Sequence, residues 1–291
     1  VLALHIGYAK AATTFLQRRA FPHLPGVHYV GRNYTESGAA GEPMRWVSDL
    51  VFADRIDIAA IADDLSRGMA AGDTVSLVSH ENLWRPYEEA RTLDRLRELA
   101  ARFDAARIIV SIRRQPDIIL SRRVHDRGII EGGSMEAALD FAGTTSCRWP
   151  QCTHERKGLQ RLRKSRCSCR AAGLKSINVP FYDYAALRQR LGGALGEDNV
   201  HILVSEGLLG NTGEELGLLT SFLGTPPPPA ALLEQIAGAR ENIRRGQDLY
   251  GETERDFLES GKRQEVADFF SASNRALDAS LPQDLAAYGY Y

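Results

Sequence analysis

Polar and apolar positions along this chain change between two periods. Short apolar runs recur over residues 2–6, 26–31, 74–79, 107–112 and 200–204, the pattern of strands buried on both faces. Between them the apolar residues take up helical spacing. Ile56, Ile58, Ile61, Leu65 and Met69 mark an amphipathic helix over 57–70, closed by Gly72-Asp73, and Leu93, Leu96, Leu99 and Phe103 line one face of a helix over 88–103. Further helices are predicted from Thr13 to about Ala20, from Pro116 to about Asp126 and over 184–195, and a polar loop over 33–43. Strands alternating with helices predict an α/β fold, a central and mostly parallel β-sheet flanked by helices. In such sheets ligands bind at the C-terminal ends of the strands. Three segments leave those ends with chemistry to offer: the loop holding Lys10, the pair His80-Glu81, and Arg113.

The first of these, Gly7-Tyr8-Ala9-Lys10-Ala11-Ala12-Thr13-Thr14, is a strand end, a tight loop of small residues with one lysine, and a helix start. Backbone N–H groups at the helix start, the positive end of its dipole, the lysine and two hydroxyls all favour an anion there. The nucleoside triphosphate loop reads G-x-x-x-x-G-K-[ST]. Here the lysine stands three residues before Thr13 and no glycine precedes it directly.

The order Gly-x-x-Lys-x-x-Thr-Thr instead resembles the 5′-phosphosulfate loop, commonly K-[ST]-G-[ST]-[ST], of sulfotransferases that use 3′-phosphoadenosine 5′-phosphosulfate (PAPS), in its bacterial form. The chain departs from that pattern at Ala11, which removes a hydroxyl, and at Ala12, which replaces a glycine and is expected to keep a negative φ. A second stretch, residues 107–125, resembles the family's 3′-phosphate element, in which a strand-end arginine and a helical serine, here Arg113 and Ser121, grip that phosphate. Arginine suits the task because its charged fork matches phosphate oxygens. A third stretch, residues 181–224, is similar to the family's ending, with Asp198-Asn199-Val200, Ser205-Glu206-Gly207-Leu208 and Phe222-Leu223-Gly224 serving mainly as scaffold. The likeness covers residues 2–224, thinly in the middle.

The resemblance implies a P-loop NTPase-like sulfotransferase fold, with PAPS as donor, PAP as product and no metal required. It implies that Gly7, Tyr8, Lys10, Ala11, Ala12, Thr13, Thr14, Arg113 and Ser121 hold the nucleotide, and that Lys10 neutralises charge on the leaving phosphate. The acceptor, a hydroxyl or amine of a glycan or small metabolite, must lose a proton as it attacks. Some family members use a histidine after this strand and others a glutamate. Neighbouring residues of an extended chain point to opposite sides. The stretch Ser79-His80-Glu81-Asn82-Leu83 resembles the bacterial "S.ENL" form, which favours Glu81 as the base over His80. Acceptor pockets in the family come from variable loops, here 32–46, 84–89 and 127–175.

Residues 1–224 thus form the expected nucleotide-binding core. Thr225 and Pro226 to Pro229 read as a stiff connector, and residues 230–291 as a helical part packing on the same domain. Within that part, Arg244-Arg245-Gly246 faintly resembles a family loop at the 3′-phosphate, though a solvated helix end suits it better.

The 291 residues, 44% hydrophobic, suffice for one large α/β domain with an appendage, and a formal net charge of −1 gives no reason to expect a nucleic-acid or membrane partner. No apolar run is long enough to span a bilayer. The four cysteines fall between Cys147 and Cys169, which with the lack of a secretory signal suggests the cytoplasm. They lie in a segment, 147–175, with nine Lys/Arg against the single acid Glu155. That segment reads as a basic loop for an anionic glycan, a mobile excursion, or a local reading-frame error; C-x₄-C with C-x-C is not a usual zinc spacing. The sequence sets no oligomeric state. Two other classes compete with the sulfotransferase: a P-loop kinase or NTPase, which lacks its G-K-[ST] here, and a PAP- or PAPS-binding protein without catalysis, which Ala11 and Ala12 suggest.

Overall fold

The computed structural model describes residues 1–31, 34–35, 38–39, 50, 55–67, 69, 72–80, 83–84, 89–125, 134–143, 176–237 and 247–291. Glu81, the Cys-containing segment 147–175, Arg244-Arg245-Gly246 and most of the expected acceptor loops lie outside the described residues.

Five strands form one parallel sheet: β1 (Leu2–His5), β2 (Val27–Gly31), β3 (Val75–Ser79), β4 (Ala106–Ile112) and β5 (Val200–Val204). Their order is β2-β3-β1-β4-β5, with β1 at the centre and all pairs parallel. This is neither the 3-2-1-4-5-6 order of the dinucleotide fold nor the 2-1-3-4-5 order of flavodoxin-like folds. Each of the five lies at a predicted apolar run. Two-residue ladders add Tyr34–Thr35 with Gly38–Ala39, inside the predicted loop, and Leu139–Asp140 with Ile177–Asn178.

The side chains of each strand alternate between two apolar layers. Leu4 and Ile6, Ile108 and Val110, and Ile202 and Val204 face one layer. That layer is filled by α2 (Ile58–Arg67), α3 (Glu89–Ala100), α4 (Gln115–His125) and α6 (Tyr184–Leu195). Ala3, Ile109 and Leu203 face the other, filled by Phe15 and Leu16 and by α7 (Ser205–Gly210), α8 (Thr212–Leu223) and α9 (Ala230–Ile236). The short α5 (Met135–Ala138) packs at the first layer through Met135.

Local chemistry sets the helix ends. Asp57 accepts from Ala60 N at 3.0 Å and starts α2, and Asp183 accepts from Ala186 N at 3.0 Å and starts α6. The predicted first helix differs in kind. It is one turn of α1 (Thr13–Phe15) followed by a π-helical stretch, Leu16–Ala20, in which Phe21 N donates to Leu16 O. The wider turn keeps Leu16, Gln17 and Ala20 buried while Arg18 and Arg19 stay exposed.

After Pro226 to Pro229 the chain covers both faces. Helix α9 lies in the second layer, while α10 (Gln247–Glu259) and α11 (Lys262–Asp278) place Phe257, Val266, Phe270 and Leu277 in the first. A buried pair of amides joins α11 to α4: Gln115 Nε2 donates to Asn274 Oδ1 at 2.8 Å, and Asn274 Nδ2 donates to Gln115 Oε1 at 3.1 Å and to Tyr290 O at 2.8 Å. Asn274→Ala strands Gln115 Oε1 and leaves Gln115 Nε2 only its 3.4 Å bond to Tyr182 O, so it is expected to lower unfolding stability by about 1–3 kcal/mol, read from the urea midpoint at unchanged slope. A loss below about 0.5 kcal/mol would mean that water satisfies the vacated groups.

Candidate functional site

The site is the C-terminal edge of β1, flanked by the ends of β3 and β4. At the first residues past β1, Ile6 N donates to Ile109 O at 2.9 Å and Tyr8 N to Ser111 O at 3.4 Å, which keeps the loop against β4. Gly7 passes too close for a side chain. A Cβ there would run into Ser111 Oγ and lie 2.8 Å from His5 Nε2 and 2.9 Å from Thr13 Cγ2. Ala11 N then donates to Tyr8 O at 3.1 Å, closing a turn that reverses the chain toward α1.

Two residues of that turn adopt left-handed backbone, Lys10 at φ 76° and Ala12 at φ 56°. They are the only non-glycine residues with positive φ among the described residues. The expectation that Ala12 keeps a negative φ is therefore wrong. Chain reversal over so few residues imposes the conformation whatever the side chain, and each such residue costs about 1–2 kcal/mol. Left-handed residues in a turn are also how backbone N–H groups are gathered into anion-binding concavities. Thr13 is buried and Thr14 half-buried at the start of α1. The Tyr8 ring is buried, edge-on to Phe181 and Tyr184, and its hydroxyl donates to Phe181 O at 2.9 Å.

Beneath the loop lies a residue that sequence reasoning passed over as part of a strand. His5 is buried, with Nδ1 2.7 Å from Ser79 Oγ on β3 and Nε2 3.1 Å from Ser111 Oγ on β4. Gln17 Nε2 reaches the same serine, donating to Ser79 Oγ at 3.1 Å and Ser79 O at 3.3 Å. The edge of Phe21 covers the imidazole at 5.0 Å. Removed from water, His5 has its pKa lowered from 6.5 to about 3 by burial. The signal available in the sequence was a polar residue closing an otherwise apolar run.

Arg113 stands one residue past β4, half-buried, and its Nη1 donates to Lys10 O at 3.3 Å. The Lys10 loop and the Arg113 strand end are thus brought into contact. His80 stands one residue past β3, where its N donates to His5 O at 3.3 Å. Ser121 lies half-buried on α4, the helix that follows Arg113.

No protein-family model matches the chain, and no curated protein matches it in sequence. Among solved structures it is similar to a sulfotransferase from Alicyclobacillus acidocaldarius, with a TM-score of 0.55 at 16% identity over 98% of this chain and 97% of that one. The likeness is one of fold, and it extends over the C-terminal helices as well as the sheet.

The loop strain is measurable. Ala12→Gly relieves the left-handed penalty at the cost of extra freedom in the unfolded chain, and is expected to raise stability by about 0.5–1 kcal/mol; a destabilised variant would contradict the left-handed assignment. His5 gives a pH signature. Its pKa is about 3 folded against 6.5 unfolded, so the unfolded chain binds the extra proton between those values, and stability is lost progressively as pH falls from about 6.5 toward 3. Urea unfolding at several pH values in that window should show this slope, and His5→Gln should flatten it.

Proposed function

We propose that this chain is a sulfotransferase that moves a sulfuryl group from PAPS to a hydroxyl or amine of an acceptor, a glycan or a small metabolite. The observation that carries the reading is the contact of Arg113 Nη1 with Lys10 O. PAPS presents two anionic groups on one ribose, a phosphosulfate at the 5′ side and a phosphate at the 3′ side. A protein that binds it needs two cationic elements side by side at one edge. The adjacent strands β1 and β4 supply a lysine loop and an arginine at such an edge. The donor set suits the group: an ammonium at Lys10, hydroxyls at Thr13 and Thr14, a guanidinium at Arg113 and a hydroxyl at Ser121. The left-handed turn at Lys10 and Ala12 is the kind of strained backbone that persists at ligand clamps.

When bound, PAPS supplies an activated sulfuryl group on a phosphosulfate anhydride. Lys10 and the loop stabilise the negative charge that gathers on the leaving phosphate, a charge larger in the transition state than in the ground state. Glu81 takes the proton from the acceptor as its oxygen or nitrogen bonds to sulfur, and the former S–O bond electrons leave with PAP. His80 stands beside it as the alternative base.

PAP should raise the melting temperature more than ADP does, since it alone of the two carries the 3′-phosphate, and Arg113→Ala should weaken PAP binding by about 1.5–3 kcal/mol. Equal shifts for PAP and ADP would remove the sulfotransferase reading. Catalysis is tested separately. Glu81→Gln should leave PAP affinity nearly unchanged and cut transfer by about 10²–10⁴, while Lys10→Ala harms both. If His80→Asn abolishes transfer and Glu81→Gln does not, the base is His80. Bound nucleotide with no transfer to any acceptor would favour the non-catalytic alternative.

A further inference from the structure

The turn that carries Arg113 is gripped by later parts of the chain. Ser205 Oγ donates to Ile112 O at 2.6 Å, and the Tyr184 hydroxyl donates to Arg113 O at 2.6 Å. Arg114 N donates to Glu206 Oε1 at 3.0 Å, and the other oxygen of that carboxylate accepts the Tyr290 hydroxyl at 2.9 Å. Three successive residues thus each have a backbone polar group fixed by a side chain from α6 or α7. Tyr184 is fully buried, and burial raises its pKa well above 10, so its hydroxyl remains a donor. Its ring also meets Tyr8 edge-on at 5.1 Å, so one side chain touches both the Lys10 loop and the Arg113 carbonyl.

The two neighbouring arginines are separated by this grip. Arg114 is drawn to Asp117 at 2.6 Å, which also accepts from Arg263 at 2.8 Å. Arg113 is left as the arginine turned toward Lys10. Residues 205–208, expected to be mainly scaffold, therefore include two, Ser205 and Glu206, whose contacts hold the backbone of the Arg113 turn.

We infer that Tyr184 and Glu206 are positioning residues that aim Arg113 at the 3′-phosphate of the nucleotide, so that losing either contact erodes discrimination between nucleotides with and without that phosphate. The inference rests on the proposed reading of Arg113. A merely structural role would weaken all nucleotides alike, because a loosened fold does not distinguish a 3′-phosphate from a 3′-hydroxyl.

The test measures PAP and ADP dissociation constants by calorimetry for the wild type, Tyr184→Phe, Glu206→Ala and Glu206→Gln, each checked for folding by circular dichroism. Tyr184→Phe and Glu206→Ala should lower the PAP-over-ADP preference about tenfold, with ADP affinity held within about twofold. Glu206→Gln keeps an oxygen to accept from Arg114 N and should retain most of the preference. Tyr184→Phe loses only a hydroxyl, so it carries the test if Glu206→Ala does not fold. Parallel weakening of both ligands, or an unchanged preference, overturns the inference. A wild type without preference for PAP defeats the reading of Arg113 and this inference with it; a wild type that prefers PAP, with variants that keep the preference, defeats this inference alone.

Discussion

His5 sits at the last residue of the central strand with each ring nitrogen committed to a neighbouring strand, Nδ1 to Ser79 and Nε2 to Ser111. One proton arrangement satisfies the whole row: Gln17 donates to Ser79, Ser79 donates to Nδ1, and Nε2–H donates to Ser111. The row crosses the three strands whose ends build the site and takes in the first turns after the Lys10 loop through Gln17. Because these groups are buried, any of them left unpaired costs a full desolvation penalty. An aliphatic residue at position 5 would fill the space but take away the ring partners of Ser79 and Ser111, leaving Gln17 its bonds to Ser79. Burial also keeps the imidazole neutral, since a charge there would be stripped of its water.

The loop above this row holds unfavourable backbone. Lys10 and Ala12 both stand in left-handed conformation, and Gly7 leaves no room for a side chain. Such a turn persists only where its surroundings over-determine it. Here the determinants are identifiable: the His5 row below, the β4 contacts of Ile6 and Tyr8, the aromatic packing of Tyr8 against Phe181 and Tyr184, and the Arg113 guanidinium on the Lys10 carbonyl. The strain and the row that offsets it occupy the same few residues.

Much of this was legible in the sequence because burial leaves a period behind it. The limits of β5 and α6 fall where their apolar pattern begins and ends. The π-helical turn after α1 was not legible, because Leu16, Gln17 and Ala20 fit an ordinary helix nearly as well. The φ of Ala12 was misread because alanine carries no mark of a left-handed position, where glycine would have. That His5 was passed over and Glu206 taken as scaffold has one shared reason. Their partners, Ser79, Ser111 and Arg114, are distant in sequence, and only the strand order β3-β1-β4-β5 brings them within reach. Lys10 and Arg113 stand out in the sequence because their neighbours form stretches that resemble a motif.

The amide pair between α4 and α11 spans 159 residues, and the contact of Glu206 with Tyr290 another 84. Both end at the turn that holds Arg113. As the chain leaves the ribosome, the sheet can assemble once β5 has emerged, yet the arginine turn lacks two of its restraints until Tyr290 is free of the exit tunnel. Nascent fragments ending before α11 therefore carry all five strands and an unfinished turn at Arg113. The turn at Arg113 is thus completed by contacts of long sequence separation, which close large loops and form slowly.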